Sequence, residues 1–412
     1  LIPRYHSLSL GLAYFSAFFV YFWLCQFPPS KWSVLTIGVA VRLLLFLTLP
    51  MLSDDIYRFI WDGKLLQNGL SPFAQLPSTV AGEGNFPNGL NDELYQNLNS
   101  KDYFTIYPPL NQLIFWLGAS IGGESWLTSA NIIRVFLLVA DVGSFFLLRK
   151  LLLHWKKDEA LANWYFLNPL VILEGVGNLH FEVLVTAFLL LGLYLYNKQK
   201  SFPSGFSFGL AIATKLLPLI YLPALLLRKP FKSGLITVAS AVVLVALSFV
   251  SLIDEALLHS MTTSIGLYFQ KFEFNASIYF LLREVGYWMT GYNVIGTLGP
   301  TLSVITFLLI IGLAIIGRIK KWPIERIMLG SLTVYLLLAT TVHPWYIIPL
   351  LSLGILTGYR FPLIWSLLIF VTYFGYNQTG FELSAGWLVV EYTVVLSVLI
   401  IELFKKNHAT SS

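Results

Sequence analysis

Two adjacent carboxylates, Asp54 and Asp55, follow directly on an apolar run, Trp32–Pro50, that is long enough to cross a bilayer. A carboxylate held where a membrane segment meets water can take a proton from an incoming hydroxyl, and partial burial there helps it hold that proton. The stretch SDDIYRFIWDGKLLQNGLSP then turns to helical spacing. Ile56, Phe59, Ile60 and Leu66 fall on one face, while Arg58, Asp62 and Gln67 fall elsewhere. This pattern predicts a short helix lying in the interface plane, apolar side down. Asn68-Gly69 is a helix-stop signal and Pro72 blocks a restart. On pattern alone, a polar loop with an incidental acidic pair competes evenly with a catalytic carboxylate.

Other polar groups lie inside or beside apolar runs. A charge in hydrocarbon is costly, so each implies a partner or a wet cavity. Glu174, Asn178, His180 and Glu182 cluster in NPLVILEGVGNLHFE. Glu174, Asn178 and Glu182, spaced four apart, share a face if the helix continues, whereas Gly175 and Gly177 argue for a break. The cluster reads either as a polar cavity wall or as a helix hairpin at the interface. Lys215 sits mid-run, with Pro218 just beyond. It can bind a freed carbonyl or an anionic ligand, or snorkel. Arg134 and Asp141, seven apart on one helix, either pair or face a common partner and read as structural; Arg42 has no local partner and also reads as structural. His343 opens HPWYIIPL, as a packed cap or as a hydrogen-bond donor to a phosphate. Arg283, like Lys271 and Glu273, reads as a surface charge. Asp54-Asp55 lacks the intervening residue of a DxD pair and no histidine cluster stands near, so no metal is indicated. No P-loop, Rossmann glycine pattern or GxSxG occurs, which leaves nucleotide-driven transport and serine hydrolysis unsupported.

The elements that must position these groups are membrane helices. Of 412 residues, 57% are hydrophobic and only 11% charged, against roughly 25% charged in soluble domains. The chain therefore reads as an all-α polytopic bundle of roughly twelve or thirteen apolar segments between Leu10 and Phe404. It forms a single domain over residues 1–412, with an external loop at 51–106. The net charge of +5 is spread over short loops, which speaks for topology and against nucleic acid. Cys25, the lone cysteine, excludes a disulfide scaffold. Lys405-Lys406, Arg360, Arg318–Arg326 and Arg228–Lys232 place their loops in the cytoplasm, so that Asp54, Asp55 and His343 face outside. Arg149–Lys157 and Lys198–Lys200 break that rule unless a middle segment is re-entrant or half-length. The same parity puts Leu1 outside, which predicts a further apolar run upstream. Within the external loop, Leu90, Leu94 and Leu98 predict a second short helix over Asn91–Leu98, and the chain re-enters the membrane at Tyr107-Pro108-Pro109.

SDDIYRFIWDG, LLQNGLSPF, YPPLNQ, NPLVILEGVGNLHFE, ATKLLPLIYLP and HPWYIIPL together resemble the bacterial membrane glycosyltransferases of the C-type fold, close to polyprenol-phosphate-mannose-dependent mannosyltransferases. The chain is similar, more distantly, to the first mannosyltransferase of GPI-anchor synthesis. The resemblance implies a polyprenyl-phosphate sugar donor, a glycan or lipid acceptor, transfer of a hexose such as mannose with inversion, and no cofactor. It implies the outer face of a bacterial inner membrane as the place of reaction. It puts the base on Asp55, with Asp54 beside it, and His343 and Lys215 at the donor phosphate; Arg58 and Arg283 are further candidate cations. Tyr57, Tyr107, Glu174, Asn178, His180, Glu182 and Trp345 would line the substrate cavity. The GPI enzyme has DxD where this chain has DD, which leaves the roles of Asp54 and Asp55 undivided. A transporter or flippase of lipid-linked sugars is the second reading; related halves with matching broken helices would mark it, and no such duplication is visible. A structural membrane subunit is the third, opposed by the costly buried charges.

Overall fold

The computed structural model describes residues 2–82, 84–228, 230–252, 272–378 and 380–409, with isolated positions between 257 and 266. Lys271 lies outside the described residues. The protein is an all-α integral membrane protein; extended pairing among the described residues consists of two isolated bridges, Phe274–Thr341 and Tyr376–Phe381. The helices are α1 (Ser7–Gln26), α2 (Lys31–Leu44), α3 (Asp55–Gln67), α4 (Pro77–Gly82), α5 (Asp92–Gln96), α6 (Pro109–Gly122), α7 (Trp126–His154) and α8 (Asn163–Phe166). They continue as α9 (Glu182–Asn197), α10 (Ser201–Thr214), α11 (Leu222–Arg228), α12 (Phe231–Phe249), α13 (Ile278–Thr290), α14 (Ile295–Ile319), α15 (Ile324–Leu338), α16 (Ile347–Thr357), α17 (Phe361–Leu368) and α18 (Ala385–Ala409).

Among the described residues, α1, α7, α12, α14 and α18 are long and apolar enough to cross a membrane, and a sixth span is formed if Val171–Gly177 and α9 count as one. Full-length spans are thus fewer than the apolar runs in the sequence. Prolines interrupt several runs: Pro218, Pro344 and Pro362 open the short apolar pieces Leu217–Leu227, Pro344–Thr357 and Phe361–Gly375. The middle of the chain is broken, the alternative for which Gly175 and Gly177 argued. Val171–Gly177 is a π turn, and α9 leaves it at 106°. Leu179 turns the corner at φ 65°, and at Gly175 a Cβ would stand 2.4 Å from Val183 Cγ1.

Buried arginines clamp this frame. Arg42 on α2 donates through Nε to Asp141 on α7 at 2.6 Å and to the carbonyls of Gly38 and Phe166. Both side chains of the pair are fully buried. Asp141 is therefore the partner of Arg42 and not of Arg134. Arg134 instead donates to the carbonyls of Thr48, Val176 and Gly177 and to Asn131. One guanidinium so ties the end of the π turn to the strand of chain that leads into Asp54.

The helix after the acidic pair starts at Asp55 and stops at Asn68-Gly69, where Gly69 takes φ 69°. It does not float on the interface. Ile56 and every residue from Arg58 to Leu65 are buried, because residues 77–107 fold over its polar side. Arg58 pairs with Asp62 at 2.7 Å and with the carbonyls of Ser100 and Tyr103, and Gln112 reaches Asp62 from α6 at 3.1 Å. Gly63 lets α3 and α6 touch; a Cβ there would lie 2.3 Å from the Phe115 carbonyl oxygen. The second short helix forms over Asp92–Gln96, with Asn91 Oδ1 accepting from the Leu94 amide at 2.8 Å. Leu90, Leu94 and Leu98 point into the core.

Candidate active site

Asp55 is the first residue of α3, so its carboxylate sits at the positive end of that helix. Asn99 Nδ2 donates to Oδ1 at 3.1 Å and the Tyr107 hydroxyl donates to Oδ2 at 3.2 Å. His180 Nδ1 stands 4.0 Å from Oδ2, and the Asp55 side chain is 21% exposed. Burial pushes the Asp55 carboxyl above its ordinary value; the two hydrogen bonds and the Lys215 charge pull it down, the Asp54 charge adds to the rise, and the net direction is up. Asp54 points elsewhere. Its Oδ2 takes Arg4 Nη2 at 2.6 Å, with side chains 38% and 31% exposed.

The broken middle helix supplies the next layer. Glu174 is fully buried and accepts from the Tyr373 hydroxyl at 2.6 Å and from Asn178 Nδ2 at 3.2 Å. His180 Nε2 lies 3.4 Å from Glu174 Oε2, which puts one imidazole between Glu174 and Asp55. Asn178 and Glu174 stay in contact across the break, while Glu182 swings away to form an ion pair with Lys215. The break thus separates residues that an unbroken helix would have placed on one face. Lys215 Nζ also lies over the Tyr346 ring, 4.6 Å from its centre.

His343 and Trp345 close the arrangement. The Trp345 ring stacks on His180 at 3.4 Å and on His343 at 4.4 Å, and Phe274 covers His343 at 4.6 Å. Burial, helped by the Lys215 charge, lowers His343 to about 3, so its imidazole is neutral at working pH and acts as a hydrogen-bonding group without charge. Its Nδ1 is buried with no hydrogen-bond partner among the described residues. The structure brings together Asp55, Tyr107, Glu174, Asn178, His180, Glu182, Lys215, His343 and Trp345. It does not bring in Arg58, which is spent on Asp62. Arg283 pairs with Glu273 and Glu284 on and beside α13, and Tyr57 packs edge-on against Trp126. Sequence reasoning missed Arg4, Asn99 and Tyr373. Asn99 sits in a polar loop with no motif, and Tyr373 and Arg4 reach the site from the far ends of the chain, so only folding reveals them. Among the described residues, no three His, Cys, Asp or Glu side chains converge as a metal-binding set.

The sequence profile described as "Alpha-(1->6)-mannopyranosyltransferase, N-terminal domain" matches residues 8–229, more than half of the chain. The chain belongs to this family. The alpha-(1->6)-mannopyranosyltransferase profile spans Asp55, the Glu174–Glu182 break and Lys215, and a second profile, "Mannosyltransferase (PIG-M)", matches residues 176–287. His343 and Trp345 lie beyond both. Alpha-(1->6)-mannopyranosyltransferase A of Mycobacterium tuberculosis is 28% identical over 186 residues, covering 44% of this chain and 34% of that protein. The enzyme of the same name from Corynebacterium glutamicum is 22% identical over 178 residues, covering 42% and 34%. GPI mannosyltransferase 1 of Debaryomyces hansenii is 31% identical over 130 residues, covering 29% and 30%. The matches span about a third of the length of each of these relatives. The resemblance read from the motifs, bacterial enzymes first and the GPI enzyme more distantly, agrees with these matches.

Proposed function

We propose that the protein is a membrane mannosyltransferase that moves mannose from a polyprenyl-phosphate donor to a hydroxyl of a lipid- or glycan-linked acceptor, on the outer side of a bacterial inner membrane. The observation that carries this reading is the environment of Asp55: partly open, hydrogen-bonded by Asn99 and Tyr107, and set beside His180 and Lys215. Asp55 acts as general base. It takes the acceptor's proton as the acceptor oxygen bonds to the anomeric carbon from the face opposite the phosphate. The bond from that carbon to the phosphate oxygen breaks, its electron pair leaves with the polyprenyl phosphate, and the sugar inverts. The leaving group is already weakly basic, so it needs charge stabilisation more than a proton. Lys215 supplies charge and His343 Nδ1, buried and unpaired among the described residues, supplies a hydrogen-bonding position. The imidazole–indole–imidazole stack of His180, Trp345 and His343 gives this wall stiffness. Residues 51–106 serve as the external catalytic segment, and the pre-activated sugar makes a nucleotide fold unnecessary.

The test is transfer of radiolabelled mannose from a polyprenyl-phosphate donor by membranes carrying the protein. Transfer that depends on Asp55 supports the reading. Movement of labelled donor across the bilayer without transfer overturns it and favours a transporter.

A further inference from the structure

A large apolar cavity lies apart from the polar cluster but ends on it. It holds about 580 Å³ between α1 and α2, within the ~300–1,000 Å³ typical of small-molecule sites. It exists because the two helices dock on different partners: α1 on Ile369–Gly375, α2 on α7 and the π turn. Its wall is apolar almost throughout, with Ile2, Ala17, Val41 and Leu49 along it. One end is different. There the lining passes through Leu52 to Asn178, and the Asn178 side chain accepts from the Leu52 amide at 3.4 Å while donating to Glu174. Two residues beyond Leu52 the chain reaches Asp54 and Asp55. Arg134 also lines the cavity, but its guanidinium is committed to four oxygens of the frame.

The cation at this end is Arg4, two residues from Ile2 in the cavity wall. Its guanidinium is 31% exposed, pairs with Asp54, and lies over the Tyr376 ring at 4.8 Å. A half-exposed pair of this kind is weak, about 0–1 kcal/mol, so an incoming anion can take the arginine over at little cost. A planar guanidinium is also the group best shaped for phosphate oxygens.

We propose that the cleft between α1 and α2 receives the prenyl chain of the donor and that Arg4, released from Asp54, binds the donor's phosphate. This rests on the mannosyltransferase reading above and adds where its donor lies. The phosphodiester carries one negative charge on two non-bridging oxygens, so Arg4 and Lys215 can share it without competing for one atom. The apolar lining selects an isoprenoid tail; the polar end, placed beside Asp55, puts the head group and not the tail at the reacting carboxylate.

The experiment compares mannose transfer from decaprenyl-phosphate and citronellyl-phosphate donors by the full-length protein in detergent. Ala17→Trp fills the cleft, and the ratio of long-chain to short-chain donor use should fall about tenfold or more, the cost of excluding a well-buried apolar group. Arg4→Ala should raise KM for both donors about tenfold or more, as expected for a lost charge-assisted hydrogen bond, and Arg4→Lys should recover part of it. A second readout needs no activity: decaprenyl phosphate with a diazirine at the tail end should label peptides of α1 and α2. An unchanged donor ratio in Ala17→Trp, or labelling confined to other helices, overturns the cleft. Wild-type protein that transfers from neither donor defeats the mannosyltransferase reading instead, and the labelling result still decides the cleft.

Discussion

Replacing each of the two adjacent aspartates by asparagine should give sharply unequal results. Asp55→Asn keeps the size of the side chain and an oxygen for one of its donors, Asn99 or Tyr107, yet removes the proposed base. Loss of a positioned general base costs about 10²–10⁴-fold in rate, which is roughly 2.7–5.4 kcal/mol of barrier. Asp54→Asn removes one ion pair whose members are 38% and 31% exposed. A pair this open is worth about 0–1 kcal/mol, so the rate should change by no more than about fivefold. The assay is single-turnover transfer from saturating radiolabelled donor, which separates the chemical step from donor binding. The pH profile adds a sign. Asp55 must be ionised to act, and burial raises its proton affinity. The rate should climb as pH rises through that raised value and then level, and this acid limb should be absent in Asp55→Asn. If Asp54→Asn silences transfer while Asp55→Asn keeps more than about a tenth of it, the roles are reversed and the geometry has been misread.

Three further outcomes follow from individual contacts. His343 sits at about 3 and stays neutral above that, so His343→Asn should lower the rate without moving the acid limb; a limb that shifts with this residue would mean that the imidazole titrates in the working range. Arg42→Met leaves Asp141 buried and unpaired, a loss of about 3–5 kcal/mol, whereas Arg42→Met with Asp141→Leu should recover much of it. Thermal unfolding in detergent measures both, and a double variant worse than the single one would show that the pair itself stabilises. Gly63→Ala sets a methyl 2.3 Å from a backbone oxygen that cannot rotate away. Overpacking of this kind costs about 1–3 kcal/mol, and melting that matches wild type would show that α3 and α6 separate freely.

Some of the site was legible residue by residue. The short helix after the acidic pair, its stop at Asn68-Gly69, the second helix beginning near Asn91 and the break at Gly175 and Gly177 are local events, and short-range spacing reports them. The surroundings of α3 were not legible in the same way. Its amphipathic spacing describes a helix with one wet face, but residues 77–107 return over that face and Asp62 neutralises Arg58 within one turn. Arg283 is likewise a plausible cation by composition and is taken by Glu273 and Glu284.

Composition and hydropathy by themselves determined the class: a helical membrane protein whose few charges must each be accounted for. Glycines and prolines also marked some helix ends, such as the stop at Asn68-Gly69, because they act on their nearest neighbours. Only the tertiary structure decided which charges meet. Arg4 with Asp54, Arg42 with Asp141 and Lys215 with Glu182 are separated along the chain by 50, 99 and 33 residues. In a low-dielectric interior a charge needs an opposite charge or a set of oriented dipoles, and no periodicity in the sequence says which one the packing of helices will bring within reach. Among the described residues, that choice bonds a cation to Asp54 and none to Asp55, whose hydrogen-bond donors are Asn99 and Tyr107.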